Sequence, residues 1–168
     1  LLQQLVELPR LVGRVLENVH EFEELAGRFF KHRDLLYLGR GINYPIALEG
    51  ALKLKELSYI HAEGYPAGEM KHGPIALIDE NMPVVAVAVR DNVRDKMMSN
   101  IEQVRVRGGA VIAIATEGDQ EVAEKANYTL LVPRVSPWLT PVLTAIPMQF
   151  LAYYIAVRLG CDVDQPRN

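Results

Sequence analysis

Three long apolar runs constrain the fold of this chain more than any other feature of its sequence. Polar residues are almost absent from each run, whereas a strand with one solvated face would alternate polar and apolar side chains. Uninterrupted runs of this length are typical of strands buried on both faces, as in a parallel sheet covered by helices. The three predicted strands are residues 83–89, 110–116 and 128–132.

Helical patterns between these strands favour the same architecture. A shorter apolar run, residues 35–38, predicts a further strand that ends at Gly39. Strands that alternate with helices need right-handed crossovers, so the chain is predicted to be an α/β sandwich with helices on both faces of a parallel sheet. Segment 61–74 is rich in Gly and Pro and is predicted to be mostly irregular. The predicted helices that separate or follow the strands are residues 44–59, 93–107, 121–126 and 139–160.

Both ends of the chain differ from this central pattern. Residues 1–33 are predicted to be a leading helical segment, in which one apolar stripe continues from near Pro9 as far as Phe29. Residues 161–168 are mostly polar and follow the last predicted helix, so we expect them to begin a C-terminal tail. The chain opens at Leu1 without a methionine, which suggests a domain excised from a longer protein.

Composition narrows the possible functions. A length of 168 residues is typical of one domain, and a net charge of -3 gives no strong attraction to nucleic acid or anionic membranes. The most apolar stretch, residues 138–159, contains prolines, Gln149 and Arg158, so it is predicted to be a buried helix and not a membrane span. Cys161 is the only cysteine, so no disulfide can form within the chain, which fits a reducing cytosol.

The loop after the first predicted strand is a candidate ligand site. Ligands of open parallel sheets bind beyond the carboxyl ends of the strands, and Gly39, Arg40 and Gly41 occupy that place. Two glycines let the backbone approach a ligand, and the N-terminus of the next helix favours an anion. However, Tyr44 stands where a dinucleotide fingerprint needs its third glycine, and turn geometry alone would also explain both glycines.

Charged residues in the predicted helix 44–59 form a second candidate. Glu49, Lys53 and Glu56 are spaced so that they share one helical face. From spacing alone they could be surface ion pairs, which contribute about 0.3–0.5 kcal/mol each. Apolar residues surround most of the same helix, however, which predicts that it is well covered and that its charged face borders a cleft.

His72 is the histidine with the most suggestive surroundings. Gly73 and Pro74 follow it and restrict the backbone, which indicates a defined loop where a histidine could shuttle protons near neutral pH. A metal site built from Glu69 and His72 is disfavoured, because no third ligand stands at a recognisable spacing. Basic residues are scattered without interleaved aromatic residues, which argues against nucleic-acid recognition.

Three motifs together resemble one known family. ALKLKE at residues 51–56, EMKHGP at 69–74 and DQPRN at 164–168 resemble the second sugar-isomerase (SIS) half of the glucosamine-6-phosphate synthases, the glutamine–fructose-6-phosphate aminotransferases. The resemblance covers essentially the whole chain. It implies one SIS domain over residues 1–168 with a five-stranded flavodoxin-like sheet, whose fifth strand would lie near residues 61–65.

The resemblance also implies roles for three residues. The glutamate that matches Glu56 moves a proton between C1 and C2 of the sugar, and the histidine that matches His72 helps to open the sugar ring from a neighbouring subunit. The lysine that matches Lys53 lies close to the reacting sugar. The complete enzyme converts fructose 6-phosphate and glutamine to glucosamine 6-phosphate, a precursor of UDP-GlcNAc, in the cytoplasm.

Parts of that family's site have no counterpart in this chain. The sugar phosphate is held by Ser/Thr-rich loops of the first SIS half, and a Schiff-base lysine lies just past the DQPRN signature. The lobe is therefore expected to be inactive alone, to need no cofactor and no metal, and to bind a hexose phosphate as a homodimer together with the first half. Two alternatives stay open: a non-catalytic module that senses sugar phosphates, and an SIS deglycase that acts on another amino sugar phosphate.

Overall fold

The computed structural model describes residues 1–167 and contains a five-stranded parallel sheet. Its strands are β1 (Asp34–Gly39), β2 (His61–Pro66), β3 (Val84–Ala88), β4 (Val111–Thr116) and β5 (Tyr128–Val132). They lie in the order β2-β1-β3-β4-β5, which is the flavodoxin-like arrangement. The predicted α/β fold is therefore confirmed, and the four strands read from apolar runs lie where the sequence placed them.

Helices cover both faces of the sheet. The α-helices of the described residues are α1 (Leu2–Leu16), α2 (Val19–Phe29), α3 (Tyr44–Ser58), α4 (Arg94–Val106), α5 (Gln120–Lys125) and α6 (Thr140–Arg158). Side chains of α1, α2, α3 and α6 join the core on one face, and those of α4 and α5 join the core on the other. The molecule is a three-layer α/β/α sandwich.

Alternate side chains of each strand enter different cores. In β1, Leu35 and Tyr37 face α3 and α6, whereas Leu36 and Leu38 face the layer of α4. Every residue of β3 and β4 is buried, because both faces of these strands are covered. Burial on both faces is thus the physical reason for the uninterrupted apolar runs.

Strand β2 lies at an edge of the sheet and pairs only with β1. Its sequence, HAEGYP, has no apolar run, so residue patterns predicted an irregular segment, whereas the family resemblance implied a strand here. The structure confirms the strand. An edge position tolerates Pro66, which cannot donate to a neighbouring strand. Gly64 is needed for close packing, since a Cβ atom there would lie 2.7 Å from Leu48 Cα.

The leading segment forms two helices and not a single continuous one. Helix α1 begins at Leu2, well before Pro9, which lies inside it, and α2 begins at Val19. The prediction of one helix starting near Pro9 was therefore wrong. The break falls at Glu17 and Asn18, and Asn18 is a residue type that favours helix ends through local hydrogen bonding.

Helix α6 packs against α2 and α3, as the prediction of a buried helix required. Leu143, Leu151 and Ile155 are fully enclosed in the core. The helix is also long and apolar enough to cross a membrane by length and composition, but half of its most apolar window is buried. A core helix meets the same criteria, so these properties do not identify a membrane span.

Candidate functional site

The strand order creates a crevice between the carboxyl ends of β1 and β3, where the chain leaves the sheet in opposite directions. The loop after β1 borders it, and Gly39 and Gly41 each have a local structural reason there. A Cβ atom on Gly39 would collide with the carbonyl oxygen of Asn43, and Gly41 adopts φ 53°. Turn geometry therefore explains both glycines. Their predicted contact with substrate stays a prediction.

Polar side chains around this crevice bind one another. Arg40 donates to Asn100 Oδ1 at 2.9 Å. Asn43 is buried and donates from its amide nitrogen to Asp91 Oδ2 at 3.0 Å. Asp91 brings negative charge to the crevice, and the loop from Gly39 to Tyr44 contains no serine or threonine. Asp91 therefore offsets the positive charge that Arg40 brings to the same crevice.

The charged face of α3 is the first part of the candidate site. Lys53 Nζ lies 2.7 Å from Glu56 Oε2 and 3.9 Å from Glu49 Oε1, as the helical spacing predicted. The exposed fractions of these side chains, 32% for Lys53, 29% for Glu56 and 39% for Glu49, show that the face is neither buried nor fully hydrated.

Apolar residues beside these charges remain open to solvent. Leu48 is 41% exposed and Leu52 is 49% exposed, whereas Ala47, Ala51 and Leu54 are buried against the sheet. The expectation that α3 is well covered holds for its inner side only. The outer side is a partly apolar surface that carries an ion pair, which is unusual for a purely solvated helix face.

The ion pair fixes the charge state of its lysine. The hydrogen bond to Glu56 raises the pKa of the Lys53 amino group, the charges of Glu56 and Glu49 act in the same direction, and partial burial opposes them. Lys53 is thus cationic at neutral pH. A carboxylate beside a fixed ammonium group can accept a proton from carbon while the cation stabilises charge that develops on oxygen.

His72 forms the second part of the candidate site. It ends a 3₁₀ helix, Ala67–His72, and its Nδ1 lies 2.7 Å from Glu69 Oε2. Both side chains are largely exposed, and they line a cavity of about 450 Å³ together with Tyr44 and Glu63. Among residues 1–167, no three His, Cys, Asp or Glu side chains are grouped as a metal site would require.

These two parts lie far apart. Tyr44 borders the His72 cavity at the start of α3, and Glu56 lies twelve residues further along the same helix, a distance of roughly 18 Å at 1.5 Å per residue. Met70, two residues before His72, is buried in the core on the α4 side of the sheet, whereas α3 packs on the other side. The His72 cavity and Glu56 therefore lie at opposite ends of α3.

The C-terminal segment returns to the end of α3, which sequence patterns did not indicate. Cys161 Sγ lies 3.9 Å from the carbonyl oxygen of Ser58, and the Arg167 guanidinium carbon lies 4.2 Å from the centre of the Tyr59 ring. One sequence feature could have indicated this contact. Tyr59 stands at the end of the predicted helix, where glycine is the usual residue. Asn168, the last residue of the DQPRN motif, lies outside the described residues.

A separate cluster of charged residues connects the segments that follow β3 and β4. It consists of Arg90, Arg94 and Asp119. Asp119 is buried, caps α5 and accepts hydrogen bonds from Arg94 at 2.6 and 2.7 Å. The Arg94 guanidinium lowers the pKa of the Asp119 carboxyl group, and the carboxylate in turn raises the pKa of Arg94. Both carboxylate oxygens of Asp119 accept hydrogen bonds from Arg94 within the cluster. We therefore interpret the cluster as a structural feature and not as a substrate site.

Comparison with known proteins adds independent evidence. The sequence pattern of the SIS domain family matches residues 28–159. Glutamine–fructose-6-phosphate aminotransferases (isomerizing) are similar over the full length of this chain, with 55% identity in Aquifex aeolicus and 57% in Thermus thermophilus. The chain spans only 28% of each of these relatives.

Solved structures agree with the fold. The C-terminal domain of glucosamine-fructose-6-phosphate aminotransferase from Francisella tularensis matches with a TM-score of 0.90 and 43% identity, covering 97% of this chain and 46% of that one. The structure of tagatose-6-phosphate ketose/aldose isomerase from Escherichia coli matches with a TM-score of 0.78 over 93% of this chain and 44% of that one, but at 23% identity it shows the fold alone.

Proposed function

Because the chain belongs to the SIS domain family, we propose that it is the second sugar-isomerase lobe of an enzyme that makes glucosamine 6-phosphate from fructose 6-phosphate and glutamine. The observation that carries this proposal is the Lys53–Glu56 pair, held at 2.7 Å on the outer, partly apolar face of α3. The similarity to aminotransferases over the whole chain supports the same assignment.

The chemistry of isomerisation suits this pair. Interconversion of a ketose derivative and an aldose needs a base that removes a proton from one carbon and returns it to the neighbouring carbon. We assign this role to the Glu56 carboxylate. We assign to the Lys53 ammonium group the stabilisation of negative charge on the adjacent oxygen, because its raised pKa keeps it protonated. A positioned acid or base of this kind typically contributes about 10²–10⁴-fold to the rate.

Ring opening is assigned to His72 of a second copy. Within one molecule His72 lies by the first residue of α3 and Glu56 lies near the end of that helix, so a shared substrate would take the two groups from different subunits. The exposed position of His72 supports this arrangement, since the side chain is free to reach another molecule. The enzyme is accordingly proposed to be a homodimer in which each active site uses both subunits.

Phosphate binding is assigned to a different lobe. In this chain the loop after β1 has no serine or threonine, and Asp91 beside it offsets the positive charge of Arg40. The proposed enzyme would therefore hold the sugar phosphate in a first sugar-isomerase half and bring α3 of this lobe against it. The outer face of α3, with Leu48 and Leu52 exposed, is available for that contact.

The remaining assignments follow from the same proposal. Residues 1–168 form one SIS domain, in which residues 1–33 are the leading helical part and residues 161–168 begin a tail. The reaction needs no cofactor or metal, takes place in the cytoplasm and supplies glucosamine 6-phosphate for UDP-GlcNAc synthesis.

Replacing Glu56 tests the proposal. In a chimera that carries this chain in place of the matching segment of the Thermus thermophilus enzyme, Glu56→Gln should lower glucosamine 6-phosphate formation at least 100-fold. Glutamine hydrolysis should persist, because that reaction does not use the isomerase lobe. Glu24→Gln is the matched control, since it removes a similar exposed helical ion pair with Arg28 on α2.

Near-normal synthesis by the Glu56→Gln chimera would contradict the assignment. Turnover of fructosamine phosphates by the unchanged chimera, without activity on fructose 6-phosphate, would instead favour a deglycase. Binding of a hexose phosphate by the 168-residue chain alone, measured by calorimetry, would favour a sugar-phosphate sensor.

A further inference from the structure

Tyr59 has an unusual backbone conformation for its residue type. It follows the last turn of α3 with φ 62° and ψ 10°, and it is the only non-glycine residue with positive φ among residues 1–167. In this left-handed conformation the Cβ atom crowds the following carbonyl group, so helix ends of this kind usually carry glycine or asparagine. We therefore expect contacts of the Tyr59 side chain to compensate for this unfavourable backbone conformation.

The Tyr59 side chain binds the C-terminal segment in two ways. The guanidinium carbon of Arg167 lies 4.2 Å from the ring centre, within the range of a cation–π contact. The backbone N–H of Arg167 also donates to the Tyr59 hydroxyl at 3.2 Å. One side chain thus holds both the backbone and the side chain of a residue that is 108 positions away in the sequence. We call this pair of contacts the tail latch.

Other contacts bring the segment to the latch. Cys161 contacts the carbonyl oxygen of Ser58 at the end of α3. Asp162 Oδ1 then accepts hydrogen bonds from the backbone N–H groups of Asp164 and Gln165, both at 3.0 Å, which turns the chain. Residues 161–167 therefore fold over the end of α3 and do not extend freely into solvent.

The latch lies next to the proposed base. Tyr59 follows Glu56 by three residues and is the C-cap of α3, so both residues lie at the carboxyl end of this helix. Arg167 also places positive charge at the carboxyl end of the helix, where the helix dipole favours a cation. The C-terminal segment is consequently held at the carboxyl end of α3, the end of the helix that contains Glu56.

We propose that Tyr59 is a positioning residue that latches residues 161–167 across the end of α3, so that this segment forms one wall of the isomerase site beside Glu56. The functional half of this inference rests on the proposed function. The contact between Tyr59 and the C-terminal segment does not depend on the proposed function. The strained backbone supports a specific role, because glycine or asparagine would end the helix equally well without the latch.

The first experiment measures the closing of the segment on the 168-residue chain itself. Trypsin cleaves after arginine, so cleavage after Arg167 under native conditions reports how often the latch opens, and mass spectrometry detects the loss of one residue. Tyr59→Asn, which tolerates the left-handed conformation, should speed this cleavage at least fivefold by removing both contacts. Tyr59→Phe keeps the ring and should give an intermediate rate. Equal rates for the three proteins would overturn the latch.

The second experiment measures positioning in the Thermus chimera. Tyr59→Asn should lower kcat for glucosamine 6-phosphate formation at least tenfold, because small misplacements near reacting atoms reduce rates strongly. Glutamine hydrolysis and the midpoint of thermal unfolding should stay unchanged, and Tyr59→Phe should recover part of kcat. An unchanged kcat, or a loss matched by a lower unfolding midpoint, would overturn the positioning role.

The two proposals fail in different ways. Glu56→Gln is measured in parallel, and its near-normal activity would overturn the proposed function. In that case faster trypsin cleavage of Tyr59→Asn would still support the latch. A strong effect of Glu56→Gln without any kcat effect of Tyr59→Asn would keep the proposed function and overturn the role of Tyr59 in it.

Discussion

Subunit complementation tests whether Glu56 and His72 act together across two molecules. The perturbation is a pair of chimeric enzymes, one with Glu56→Gln and the other with His72→Ala, each expected to be inactive when pure. Within one molecule His72 lines a cavity that is bordered by the first residue of α3, and Glu56 lies roughly 18 Å further along that helix. Because of this separation, we expect the two groups at one sugar to come from different molecules.

The expected magnitude follows from counting sites in a mixed population. Random exchange of equal amounts of the two variants makes about half of the dimers mixed, as expected for a twofold-symmetric dimer. In a mixed dimer, one site combines both altered residues, and the other combines the intact Glu56 of one subunit with the intact His72 of its partner. About one quarter of all sites are then intact.

The assay is glucosamine 6-phosphate formation after co-expression or after unfolding and refolding of the mixed chains. Recovery to about 25% of the unaltered chimera is expected if the site is shared between subunits. If both residues served the same site from one subunit, every site in the mixture would contain one alteration, and activity would not recover. Absence of recovery, with mixed dimers verified by mass spectrometry, would refute the reasoning.

Three further perturbations test the packing and the site. Asp119→Ala should lower the free energy of unfolding at pH 7 by about 3 kcal/mol, since it removes the buried carboxylate that accepts two hydrogen bonds from Arg94 and removes the cap of α5. Because pairing depresses the Asp119 pKa below 3.8, this advantage is present above that pH and is lost as the pH falls further, so denaturant unfolding curves of the two proteins should converge in acid. Gly50→Ala would place a methyl group 2.5 Å from a methionine sulfur of α6 and should cost about 1–2 kcal/mol, and an unchanged denaturation midpoint would mean that α3 and α6 separate easily. Glu69→Gln should replace the charged partner of His72 by a neutral one and lower kcat for glucosamine 6-phosphate formation in the chimera, whereas an unchanged kcat would exclude Glu69 as the group that orients His72.

Much of the fold could be predicted from the sequence, because burial on both faces leaves a local pattern. The strands β3, β4 and β5 are apolar without interruption, and helices with their own periodicity separate them. Strand β2 had no such pattern, since an edge strand is only half covered and can contain Gly64 and Pro66. Residue patterns therefore missed it, and only the family resemblance implied it.

The candidate site could also be predicted only in part from the sequence. Helical spacing by itself determined that Glu49, Lys53 and Glu56 share a face, because three and four residues make about one turn of a helix. Spacing could not decide whether that face was solvated or functional. The exposed leucines beside it and the 2.7 Å contact between Lys53 and Glu56 became visible only in the folded molecule.

The sequence by itself determined the α/β class, the parallel sheet and the composition of the charged helix face, since each depends on residues that are close together along the chain. Only the tertiary structure decided that the His72 cavity lies at the opposite end of α3 from Glu56, and that Arg167 closes on Tyr59 from 108 positions away. Those relations depend on how the strands are ordered and on where α3 and α6 end. No local pattern records them, because each contact joins segments that meet only after the sheet and its two helical layers have packed.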